Sequence, residues 1–118
     1  MKQELETKLQ EDFPSIFPQS DQFYGIGCGD GWYDLIHMLC EDIITYQDKE
    51  NPVEATQVKE KFGGLRFYIY GGNDAIYDLI TIAEDASYTI CEMCGSKNDV
   101  HLTKGGWIKT LCSDCDNK

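Results

Sequence analysis

Four cysteines stand in two matched pairs near the end of the chain, Cys91-Glu92-Met93-Cys94 and Cys112-Ser113-Asp114-Cys115, with 17 residues between them. A C-x2-C pair turns two sulfurs toward one point, and two pairs at this separation fall within the spacing of tetrahedral zinc sites. Zinc closes its shell with four thiolates. Cys91, Cys94, Cys112 and Cys115 are therefore expected to hold a structural Zn2+ that leaves no position for a catalytic water. The alternative for the same sulfurs is two disulfides. Met1-Lys2-Gln3-Glu4-Leu5-Glu6 has none of the apolar character of an export signal, so the reading is a cytoplasmic, reducing setting in which such pairs hold metal. Residues 91–118 are too few to bury much surface, so the metal is expected to dominate their folding.

The other chemistry-bearing residues are more dispersed. Lys59, Lys61, Arg66, Tyr68 and Tyr70 are expected on one face of a hairpin, where three cations and two rings suit a base or a phosphate. The plainer reading is a solvated face whose cations pair with the protein's own carboxylates. Glu60 falls among apolar neighbours, where burial would raise its pKa unless a lysine reaches over it. His37 and Glu41 stand four apart on a helix with Asp34 one turn earlier, a spacing compatible with a metal or acid–base site or with a merely solvated face. Gly25 to Gly31 is glycine-dense and precedes a helix, but it lacks G-x-x-x-x-G-K-[ST] and any clear preceding strand. Asp30 would repel a phosphate there and is expected to cap the helix instead. Cys28 and Cys40 read as small buried hydrophobes. No nucleophile, base and orienting group assemble, so the chain reads as a binding protein rather than an enzyme.

The elements that carry these residues follow from periodicity. Residues 2–12 suggest a short helix with Leu5, Leu9 and Phe13 as its apolar edge, ended by Pro14, with an irregular stretch after Pro18. A helix over about 31–46 buries Trp32, Leu35, Ile36, Leu39 and Ile43. A hairpin over 56–70 turns at Gly63-Gly64, pairing Glu60 with Phe67 and Lys61 with Arg66. Its inner face holds Val58, Glu60, Phe62, Leu65, Phe67 and Ile69. A second helix over about 75–88 is capped by Asp74 and buries Ile76, Leu79, Ile80 and Ala83. A smaller hairpin around Lys104-Gly105-Gly106 joins the two cysteine pairs.

The chain has 118 residues, 42% of them hydrophobic, enough for one modest packed domain and an appendage. No apolar run approaches the roughly 20 residues of a membrane span. The net charge of −11 is carried wholly by residues 1–90, with 17 Asp/Glu against 6 Lys/Arg, whereas residues 91–118 balance. Nucleic acid demands a basic footprint, so this charge disfavours it and points to a basic protein surface as partner.

The spacing of the last cysteines, with Gly95, Trp107 and Leu111-Cys112, partly resembles the GATA-type finger. In that family a basic helix after the last pair reads DNA, and here only Asp116, Asn117 and Lys118 follow. Over about residues 25–115, Gly29-Asp30-Gly31-Trp32, Val58-Lys59-Glu60-Lys61-Phe62-Gly63-Gly64-Leu65-Arg66-Phe67-Tyr68 and the cysteine pattern resemble small proteins encoded by tailed bacteriophages and prophages. That resemblance implies a protein made inside an infected bacterium, an accessory or host-takeover factor, and implies no catalytic residues.

The expectation is thus an α+β fold, with two long helices on a β-hairpin (residues 1–90) and a four-cysteine zinc ribbon (residues 91–118). It is expected to bind a host protein, such as a nucleic-acid-handling or defence factor, through an acidic surface. The alternative function is nucleic-acid or nucleotide binding by the basic-aromatic hairpin face.

Overall fold

The computed structural model describes residues 1–18 and 25–118; the stretch expected to be irregular after Pro18 lies largely outside the described residues. Among the described residues the fold mixes a small three-stranded sheet, a two-stranded ribbon and four α-helices. Helix α1 (Gln3–Asp12) ends before Pro14 and packs on the core through Leu9, which is fully buried, and through Phe13 just beyond its end. The turn that follows buries Ile16 and Phe17 and is tied to the sheet where the Ala55 amide donates to the Ile16 carbonyl at 2.8 Å.

The sheet has the order β1 (Ile26–Gly27), β2 (Glu54–Lys61), β3 (Gly64–Tyr70). Strand β1 runs parallel to β2, with Ile26 beside Val58, so the glycine-dense stretch itself contains a short strand. Two residues of unremarkable composition are too short to leave an alternation signal.

The β2–β3 hairpin turns one residue earlier than the glycines suggest. Phe62 (φ +54°) and Gly63 (φ +87°) occupy the left-handed positions of the turn, and Lys61 pairs with Gly64. Glu60 therefore faces Leu65 rather than Phe67, and Lys59 rather than Lys61 faces Arg66. Each partner moves by two residues, so parity is kept and the expected faces survive, with Phe62 alone swung out into the turn. Gly64 is glycine for another reason. A Cβ there would sit 2.2 Å from the Tyr88 hydroxyl oxygen. The pairing also slips by one residue at Thr56, so Ala55 and Val58, three apart, both face the core.

Helix α2 (Tyr33–Tyr46) is entered through a single 3-10 turn at Asp30–Trp32, and helix α3 spans Asp74–Ser87. They run antiparallel. Asn73 at the start of α3 donates to the carbonyl of Tyr46 at the end of α2, and the Trp32 indole before α2 donates to the Ile90 carbonyl beyond α3. Ile36, Leu39, Cys40 and Ile43 of α2 meet Ile76, Ile80 and Ala83 of α3 over Val58, Leu65 and Phe67 of the sheet. Leu35 and Leu79, expected in the stripes, are only half-buried at their margins.

Two caps differ from expectation. The α3 cap is Asn73, whose side chain accepts from the Ile76 amide at 3.0 Å, not Asp74. Asp30 caps nothing; its carboxylate accepts the Lys2 amide at 2.8 Å. After α3 come β4 (Val100–Leu102) and the antiparallel β5 (Thr110–Cys112), a shorter ribbon than the flanking runs suggest. The chain closes with a single turn, α4 (Ser113–Asp116).

Candidate metal centre

The first cysteine pair sits in a tight turn directly after α3. The Gly95 amide donates to the Cys91 carbonyl at 2.9 Å and the Cys91 amide to the Ser96 carbonyl at 2.8 Å. Cys112 ends β5 and Cys115 lies in α4, so the ribbon carries the second pair back to the first. All four sulfurs lie within 4.8 Å of one another, and those of Cys94 and Cys112 are 3.6 Å apart. A disulfide needs about 2.05 Å, and none of the six cysteines forms one. A zinc–sulfur bond of about 2.3 Å sets tetrahedral edges of roughly 3.8 Å. The donor set thus fits a metal ion in both chemistry and spacing.

The sulfurs are not equivalent. Cys91 and Cys112 are buried, Cys94 is exposed and Cys115 lies between. Burial raises the Cys91 thiol, but backbone hydrogen bonds from Cys112, Cys94 and Met93 outweigh it and bring it down to about 6. Cys115, hydrogen-bonded first to Cys112 and then partly desolvated beside the other sulfurs, is pushed up to about 12. One thiolate forms readily and makes the next harder to form, the frustration that a cation at the centre would relieve. Outside the sulfurs, His101 Nε2 meets Asp116 at 2.8 Å and braces β4 against α4.

No family model, curated protein or solved structure matches this chain. Its own contacts must therefore carry the functional reading.

The cysteine-bearing segment is seated on the core by a joint that sequence reasoning missed. The Gly31 amide donates to the Glu92 carbonyl at 2.8 Å, and the Gly29 amide to Glu92 Oε2 at 2.9 Å. The glycine loop is a cradle. A Cβ on Gly31 would lie 2.1 Å from the Cys91 carbonyl oxygen. Opposite, the Thr110 hydroxyl donates to the Gly63 carbonyl in the hairpin turn. Between the two contacts Lys109 Nζ stands 3.6 Å from both Glu60 Oε1 and Glu92 Oε1. The Glu92 side chain is 4% exposed, and its Oε1 has no hydrogen bond, so that ammonium is its electrostatic compensation. Nothing in the spacing of Glu92 or Lys109 announces this pairing, which joins residues from three separate segments of the chain.

The remaining candidates fall into three places. Lys59, Lys61, Arg66 and Tyr68 do share the outer hairpin face, and Tyr70 ends it opposite Glu54. Lys59 stands over the Tyr68 ring at 5.9 Å, and Lys61 over Phe62 at 5.8 Å. Arg66 is engaged internally. It donates to the Leu65 carbonyl, and its pKa is raised chiefly by a hydrogen bond with Tyr88. Glu60 is mostly buried and accepts the Gly63 amide at 3.1 Å; the lysine that reaches over it is Lys109. His37 joins Glu41 (2.9 Å) and, across to α1, Asp12 (3.2 Å), which makes it a tie between helices. Asp34 is absent from that group and lines a groove between α2 and α3. Cys28 and Cys40 are buried and inward-facing, as small hydrophobes are; burial pushes the Cys28 thiol up to about 12 and Cys40 upward too.

Proposed function

We propose that this chain is a non-enzymatic interaction protein, held together at its end by a zinc ribbon. In this reading it acts in the cytoplasm of a bacterium that carries phage genes and binds a host protein through an acidic surface. The observation that carries the proposal is the closed set of four sulfurs within 4.8 Å. Four thiolates satisfy zinc and leave no ligand position for substrate or water, so the ion acts as scaffold. The mostly buried carboxylates of Glu60 and Glu92 share one ammonium, that of Lys109, in the joint beneath it. What remains for a partner is the surface, and the charge of −11 favours a basic one. No helix among the described residues is long and apolar enough to cross a membrane.

Metal analysis and native mass spectrometry of the purified chain should give one zinc per chain. Affinity capture from bacterial lysate should recover a specific protein at low salt and lose it at high salt. A chain free of stoichiometric metal, or a low-salt capture that recovers nothing, ends this reading.

A second reading has its own support. Phe62 is 68% and Trp107 76% exposed, and both line a cleft of about 310 Å3 with Lys61. Rings beside a cation suit the bases of a single strand. Binding of oligonucleotides that falls steeply with salt and with Trp107→Ala would favour it; no binding at 50–100 mM salt, roughly the regime where such contacts are strongest, would remove it.

A further inference from the structure

The side of the molecule formed by α2 and α3 differs in kind from the rest of the surface. Together these two 14-residue helices contain seven carboxylates and neither Lys nor Arg. Asp34, Asp78 and Asp85 are exposed and Asp42 is partly so, and among the described residues no ion pair reaches any of them. Counter-charges are thus missing along these four carboxylates.

An apolar strip runs between these charges. Met38 is 62% and Ile82 65% exposed. Met38 and Leu35 on α2 face Ala86 and Ile90 across a groove of about 330 Å3. Ile82 stands one turn before Ala86 and so prolongs the same strip along α3. Lone exposed hydrophobics are ordinary, but two prominent ones beside a groove whose wall holds Asp34 and whose flanking helices present Asp42, Asp78 and Asp85 are the pattern of a docking site. The one cation at its mouth, Lys97, lies at the end nearest the cysteines.

We infer that this groove docks a Lys/Arg-rich amphipathic helix of a partner protein. The inference rests on the interaction-protein reading above and names its surface and the chemistry of its partner. Apolar residues of that helix, spaced i, i+3/i+4, i+7, lie along Leu35, Met38, Ile82 and Ala86. Its cations face the carboxylate rims, which supply both attraction and orientation. A nucleic acid or an acidic helix is repelled by the same rims.

The test uses a fluorescent peptide of about 16 residues built from Leu and Lys in amphipathic helical order, long enough to span a 14-residue helix of ~21 Å. A second peptide has the same composition in scrambled order. Binding is read by anisotropy against the full metal-loaded chain, its Met38→Glu and Ile82→Glu variants, and Glu54→Gln as a charge control on the sheet. Each variant is first checked for native metal content and hydrogen-exchange protection. The patterned peptide should bind at least about tenfold more tightly than the scrambled one, and each groove variant should lose about tenfold, with Glu54→Gln unchanged.

The groove variants add negative charge. If they bind the peptide as well as the original chain or better, simple attraction between opposite charges explains the binding and the docking groove is overturned. Equal binding of the two peptides overturns it as well. A lysate partner retained by both groove variants leaves the interaction reading intact and overturns the groove alone. Groove-dependent peptide binding with no lysate partner supports the groove while the host-protein reading fails.

Discussion

Up to Ile90 the described chain gathers nineteen buried hydrophobic side chains into one cluster; from Cys91 onward the only buried hydrophobics are Cys91 and Cys112, both sulfur donors. The other two buried residues there, Glu92 and Thr110, both bond to the core. The first region holds its shape by excluding water from apolar surface. The second has almost no such surface, and Met93, Leu102 and Trp107 are left outside. Its order must come from the sulfur cluster within and from the joint to the core without. Two sources of order make two separable modes of failure.

The strongest way to break the comparison is to dismantle the sulfur cluster or strip the ion proposed to sit in it. Structural zinc contributes about 10–16 kcal/mol in small modules, more than most of them can lose. Cys112→Ser, or a strong chelator, should abolish hydrogen-exchange protection over residues 91–118 while α2, α3 and β3 stay protected. Collapse of both regions together would show that the core depends on the metal as well.

Next in size is the seat itself. Gly31→Ala places a methyl group 2.1 Å from the Cys91 carbonyl oxygen. Backbone on backbone cannot yield, so a loss on the order of 3 kcal/mol is expected, read from denaturant midpoints. Lys109→Met should cost less, about 2 kcal/mol, because Lys109 is about one-third exposed and its pairs are partly screened. Adding Glu92→Gln to Lys109→Met should recover part of that loss, since the buried charge then disappears. No recovery would mean that the lysine stem, not its charge, is what matters.

Smaller effects sharpen the picture. Phe62 holds φ +54° with its ring in solvent. Phe62→Gly should therefore stabilise the hairpin by about 0.5–1 kcal/mol, visible as a raised melting temperature. The pH effect at His101 is the smallest. Its pKa is raised above the ordinary 6.5, first by the hydrogen bond to Asp116. The bracing of β4 on α4 is then fully present below about pH 6.5 and fades as pH rises through the raised value. A proton NMR titration of His101 should locate that midpoint above 6.5, and Asp116→Asn should lower it.

The sulfur set was legible because a metal needs its ligands at fixed local spacing, and C-x2-C writes that into the chain. Helices α2 and α3 were legible because their stripes repeat over many residues. The hairpin turn was off by one because Gly63 and Gly64 serve different needs. One adopts a left-handed turn, the other leaves room for the Tyr88 hydroxyl. Local sequence cannot separate a glycine kept for its dihedral from one kept for its emptiness. Strand β1 escaped because two residues carry no period. Glu92 with Lys109, and the seating of Glu92 on Gly29 and Gly31, depend on contacts across 17 to more than 60 residues, which no local rule encodes. Glu60 sits between these cases. Its burial followed from alternation, but the lysine above it came from another strand connection.

Cys28 and Cys40 sit in the apolar interior with thiols held in the neutral form well above the ordinary range. Neutral, inaccessible sulfur is a poor nucleophile toward maleimides and iodoacetamide. With the core folded, alkylation should then count close to none if the proposed ion is held by the four sulfurs, and four reactive thiols once it is stripped. The chain's own thiols would thus report stoichiometrically whether the proposed ion is bound, and no cysteine has to be replaced to read it.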